Sequence, residues 1–169
     1  MIRVTLDTNI LPVTDFLDAA LEKGFEFAVI SVTRDEVAGT SYEVVLERLP
    51  STPATIPFGA NGYGSGTFGG GVSTECCERV LTILANGSFP PITQRGALTP
   101  GQDRQLRDAH ILCTHIRDAR DIFVTNDFRG FINHGRAERL SAEFGIRIMS
   151  RDDFVSLVNA QDTPLDKRA

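Results

Sequence analysis

The chain has 169 residues and a formal net charge of −5, with a pI near 5.2. That length suits one domain with a sizeable core, and the acidic balance gives a summed field that does not draw in polyanions, leaving that work to local patches. No apolar run approaches a membrane span, no basic segment leads into an apolar block at the start, and the three cysteines (Cys76, Cys77 and Cys113) form neither a disulfide framework nor a zinc spacing. A cytoplasmic protein is expected.

The first stretch, Ile2 to Leu11, sets the pattern. Ile2, Val4 and Leu6 alternate with Arg3 and Thr5, the period of a strand. Asp7, Thr8 and Asn9 follow at once. In an open α/β sheet an acid at the carboxyl end of a strand points into the crevice where such sheets bind ligands, although all three side chains can also fold a local turn. A helix is expected from Asp15 to Lys23, capped by Thr14 with Phe16, Leu17, Ala20 and Leu21 on one face, then a strand over Phe25–Ile30. Thr33 and Glu36 have the capping-box spacing, which predicts one helix running to about Arg48.

From Pro50 to Ser73 the composition turns glycine-rich, and the run from Phe58 to Gly71 cannot be a helix at about 1 kcal/mol per interior glycine. This insert reads as a loop or a hairpin arm; a phosphate loop lacks its lysine. Helices are expected from Thr74 to Ala85 and, opened by Thr99-Pro100, from there to Arg117, the latter with Leu106, Ala109, Leu112, Cys113 and Ile116 as its stripe. A strand over Ile122–Val124 runs directly into Thr125-Asn126-Asp127. A helix over Arg136–Phe144, a strand over Ile146–Met149, a helix from Ser150 to Val158 and a polar tail over 159–169 complete the chain.

Alternating strands and helices define an α/β fold, three-layer α/β/α around a parallel sheet. The first strand and Ile122–Val124 then meet at the point where the winding reverses, with Asp7 and Asp127 on one rim. Asp108 stands at the border of its helix's apolar stripe. Glu36 stands one turn into a helix that begins at the same rim. Asp103, the competing acid, lies near a helix start, where the dipole accounts for it. Four carboxylates on one crevice repel, and oxygen-only ligands suit Mg²⁺ or Mn²⁺, which assist attack of water on a phosphodiester. His110, His115 and His134 have no partner spacing and are expected as surface or core.

Together Leu6-Asp7-Thr8-Asn9-Ile10, Ser31 with Glu36, Asp108-Ala109-His110-Ile111-Leu112, Phe123 to Phe131 and Gly145 to Phe154 resemble the PIN-domain ribonucleases, over about Ile2 to Val158 apart from the insert. The resemblance implies a PIN-like domain over 1–158 that cuts single-stranded RNA. Asp7, Glu36, Asp108 and Asp127 would be its catalytic acids and its Mg²⁺ or Mn²⁺ ligands. It further implies the toxin of a toxin–antitoxin pair, with a small antitoxin protein as partner; a second copy in a homodimer is the other partner expected, and no membrane, since no apolar run is long enough to span one. Arg34, Arg107, Arg129 and Asn126 are the candidate RNA contacts. A phosphatase that works through an aspartyl phosphate would need an acid where Asn9 stands, and a late lysine that is absent before Lys167. A non-catalytic PIN-like module that binds RNA or protein remains the second reading.

Overall fold

The computed structural model describes residues 1–56, 67–68 and 71–160. Among these, five strands form one parallel sheet in the order β3-β2-β1-β6-β7. The strands are β1 (Ile2–Leu6), β2 (Phe25–Ile30), β3 (Ser51–Thr52), β6 (Ile122–Val124) and β7 (Arg147–Met149). Between β3 and β6 the short strands β4 (Thr55–Ile56) and β5 (Thr67–Phe68) pair in parallel on their own. β1 is central, with Val4↔Phe27 on one side and Leu6↔Val124 on the other. The chain winds outward through β2 and β3, crosses back to β6, and so reverses beside β1, which is where such sheets open a crevice.

Strand alternation sends side chains to two cores. Val4, Leu6, Phe25, Phe27, Val29, Ile122 and Val124 pack on α1 (Leu17–Glu22), α3 (Glu43–Glu47) and α7 (Arg151–Ala160), with Phe154 edge-on to Phe16, Phe25 and Phe27. Ile30 and Phe123 face the other way, onto α4 (Gly71–Leu84), α5 (Pro100–Arg117) and α6 (Arg136–Phe144). Thr5 also faces α5, and its hydroxyl lies 2.8 Å from Nδ1 of buried His115. Helices therefore cover both faces of the sheet, the three-layer arrangement expected. No helix among the described residues is long and apolar enough to cross a membrane.

Several boundaries differ from the sequence reading. Thr14 does not cap α1, whose first turn has no side-chain cap, and Leu21 is 45% exposed instead of facing the core. The helix expected from Thr33 to Arg48 is two helices, α2 (Ser31–Val37) and α3, because Gly39 takes φ +77° between them. Edge strand β3 was hidden within the glycine-rich insert. The centre of that insert, residues 57–66 and 69–70, lies outside the described residues, as do residues 161–169 of the tail. Its flanks pair in parallel, whereas a hairpin needs antiparallel strands. Other stretches match closely. Thr99 and Gln102 close a capping box on α5, and Gly145 ends α6 in the left-handed region.

Candidate functional site

β1 ends at buried Leu6, but its pairing continues one residue further, with the Asp7 amide donating to the Val124 carbonyl at 3.0 Å. This holds Asp7 beside the end of β6. The chain then turns through Thr8–Ile10, and Asp7 caps that turn by accepting from the Thr8 amide at 2.8 Å. Its other oxygen accepts from Asn9 Nδ2 at 2.8 Å and from Thr125 Oγ1 at 2.6 Å. Asp7 thus forms the local turn and also stands in the lining of a cleft. The capping oxygen fixes the carboxylate, and the fixed carboxylate lines a cleft.

Thr125, fully buried at the end of β6, is the hub. Its hydroxyl binds Asp7 and also accepts from the Asp127 amide at 3.0 Å. Asn9 ties the same loops together, since its Oδ1 accepts from the Asn126 amide at 2.6 Å. Asp127 in turn caps the π-type turn Phe128–Ile132, accepting from the Gly130 amide at 2.8 Å. Gly130 must lack a side chain here, because a Cβ would stand 2.9 Å from the Asp127 Cγ.

α2 starts directly off β2 at Ser31, with Ile30 as its cap residue. Thr33 lies inside the first turn, so the capping box expected from Thr33 and Glu36 does not form. Glu36 is free to face the rim, where it accepts from Thr8 Oγ1 at 2.5 Å and from Arg107 Nη1 at 3.4 Å. On α5, residues at helical spacing, Arg104, Arg107, Asp108 and Ile111, share one face. They close a cleft of about 190 Å³ with Asp7, Thr8, Asn9, Glu36 and Asp127. All four acids singled out in the sequence thus line one cleft, delivered by four separate segments.

The electrostatics follow from that crowding. Burial pushes the Asp7 carboxyl up to about 6, against the hydrogen bonds from Thr125 and Thr8, and Glu36 and Asp127 add to the rise. Asp108 is pushed up to about 8 by burial first, then by Asp7, Asp127 and Glu36, with Arg107 opposing. The donor set is all oxygen, and its negative charge is undercompensated, which suits a hard divalent cation. Among the described residues no three His, Cys, Asp or Glu side chains stand close enough to grip one ion. The residues therefore fit a divalent cation in donor chemistry, while the carboxylates stand spread around the cleft.

The other candidates divide. Arg107 is at the cleft. Arg129 lines an adjoining one of about 240 Å³ that shares Arg104, Asp108 and Asp127 with the first. Arg34 is not at either, since its guanidinium donates to the Leu46 and Leu49 carbonyls at 3.0 and 2.5 Å and secures the end of α3. Exposed Asn126 is in neither lining, and its Oδ1 receives the Arg151 amide at 3.1 Å. His110 and His115 are buried core, with burial lowering them to about 4 and about 3. His134 takes φ +61° in an exposed turn. Sequence reasoning missed Thr125 and Arg104. The first was visible as the opening residue of the second strand-end triplet. The second stands one turn before Asp108 on the same face.

No family profile matches the chain and no curated protein matches it.

Proposed function

We propose that this chain is a divalent-metal-dependent endoribonuclease that hydrolyses phosphodiester bonds of single-stranded RNA, the activity its resemblance to PIN-domain ribonucleases implies. The observation that carries the reading is the meeting of Asp7, Glu36, Asp108 and Asp127 around one cleft at the carboxyl rim of the sheet. Those four residues would hold Mg²⁺ or Mn²⁺. When bound, the ion supplies a water of lowered pKa and balances charge on the phosphodiester oxygens.

The chain's own contribution is positioning. Thr125 and Asn9 fix Asp7 and, through the Asn126 and Asp127 amides, the loop that carries Asp127. Thr8 and Arg107 hold Glu36 at the rim. Ile111 gives the cleft one apolar wall. Among the described residues no serine or cysteine lines the cleft, and the Thr8 hydroxyl donates to Glu36, so attack by water on phosphorus suits these residues better than a covalent intermediate.

The second reading, a module of the same fold that binds RNA or protein without cutting, draws on the spread of the carboxylates and on the net charge of −5. The toxin role and the antitoxin partner follow from the resemblance alone. Incubating single-stranded RNA with the protein, with and without Mn²⁺, separates the two readings. Cleavage that needs Mn²⁺ and is lost in Asp7→Asn supports the nuclease. Equal cleavage by wild type and Asp7→Asn, or none by either, sinks it.

A further inference from the structure

Beyond the four acids, the adjoining cleft has a chemistry of its own. It is lined by Arg104 and Gln105 of α5, Asp108, Asp127, Arg129 of the π-type turn and Arg136 at the start of α6. Three guanidiniums there face two carboxylates, in a chain that is acidic overall. Arg104 lines both clefts, as do Asp108 and Asp127, so the two spaces adjoin at the acids.

The arginines are not spent on ion pairs. Among the described residues neither Arg104 nor the Arg129 side chain takes part in a salt bridge or hydrogen bond, in contrast to Arg48, Arg79, Arg95 and Arg151, each paired with an acid. Arg136 donates through Nη1 to the Arg129 carbonyl, which fixes the turn, and leaves its buried Nε without an acceptor. The cleft also reaches Gly101, in the first turn of the 18-residue helix α5, whose dipole places partial positive charge there. On the turn that carries Arg129, Phe128 is 48% exposed.

We infer that this second cleft is a phosphate subsite for a single-stranded nucleic acid, in which Arg104 and Arg129 hold a backbone phosphate neighbouring the one at the acids, with Arg136 fixing the Arg129 turn and Phe128 exposed for a base to stack on. The inference rests on reading the acid cleft as the place of cutting. Guanidinium forks match phosphate oxygens, and phosphate contacts set the register of a strand without reading its sequence. The subsite binds the strand so that the next phosphodiester falls between Asp108 and Asp127. Because it reads phosphate and not the 2′-hydroxyl, it takes RNA and DNA single strands alike.

The test is binding by fluorescence anisotropy of a labelled oligouridylate and a labelled oligothymidylate to the full chain in EDTA, over a range of salt, so that affinity is measured without cleavage. Arg104→Gln, Arg129→Gln and their double variant are compared with wild type, and Arg48→Gln, an exposed arginine outside both clefts, serves as control. Each cleft substitution is expected to weaken both oligonucleotides about tenfold and to flatten the salt dependence by about 0.7 in log–log slope, with Arg48→Gln unchanged. Wild-type affinity and slope in the double variant, or no measurable binding by wild type, overturn the subsite. The nuclease reading fails separately, if wild type binds RNA but does not cut it in Mn²⁺.

Discussion

At Asp7 one carboxylate serves loop and cleft together, and this changes which substitution tests the electrostatics. Its oxygens accept from Thr8, Asn9 and Thr125. An asparagine there would turn an amide NH₂ toward the Asn9 and Thr125 donors, and the loss of those bonds would mask any relief of repulsion. Asp108 is the cleaner probe, raised to about 8 by burial and by the three neighbouring acids. The sign follows from linkage. The folded state holds the Asp108 proton more tightly than the unfolded chain, whose carboxyl titrates near 3.8. Stability in EDTA therefore falls as pH rises from near 4 to about 8 and levels off above. Asp7 adds a smaller fall that ends at about 6. Asp108→Asn is expected to raise Tm in EDTA at neutral and mildly alkaline pH and to flatten the pH dependence between pH 6 and 8. Thermal melts of the two proteins across that range check it, and parallel curves would contradict it.

At the scale of elements, what the sequence made legible was what local chemistry decides. Strand alternation in Ile2–Leu6, the Thr99-Pro100 start of α5 and the Gly145 stop of α6 all appear as expected. The misreadings come where tertiary contacts override a local pattern. Thr33 and Glu36 have capping-box spacing, but α2 begins two residues earlier, straight from the end of β2, and Glu36 is drawn to Thr8 and Arg107 instead. Arg34 sits beside the acids in sequence yet faces the far end of α3, because its guanidinium satisfies two carbonyls there. β3 was missed because its two residues are too few to show a period. The π-type turn after β6 carries a prediction at this scale. Gly130→Ala would press a methyl group into the Asp127 carboxyl group, overpacking that costs about 1–3 kcal/mol. It is expected to lower stability in denaturant unfolding and to weaken Mn²⁺ binding by displacing Asp127. Unchanged Mn²⁺ affinity in a destabilised protein would show that Asp127 is not held by this turn for that purpose.

Over the whole molecule, the parallel winding brings acids from distant stretches to one place. Asp7, Glu36, Asp108 and Asp127 are spread over most of the chain, and only the order β2-β1-β6, with its reversal beside β1, sets them around one cleft. That juxtaposition was legible because strand-end acids in a parallel sheet share a rim. The position of Thr125 at a strand end and of Arg104 one turn before Asp108 could be read from spacing, but the bonds that make Thr125 a hub and the cleft that Arg104 shares with Arg129 depend on side-chain directions that spacing does not give. The fold keeps four carboxylates together at an electrostatic cost, and a cation that relieves the cost must bind the folded chain better than the unfolded one. The measurement closest to this claim is the melting temperature with and without Mn²⁺ for wild type and for Asp108→Asn combined with Asp127→Asn. At a hundredfold excess over its dissociation constant Mn²⁺ should stabilise wild type by about 2.7 kcal/mol, a rise of roughly 5–10 °C for a chain of this size, and leave the double variant unmoved. An equal rise in both proteins would contradict a cation site at these acids.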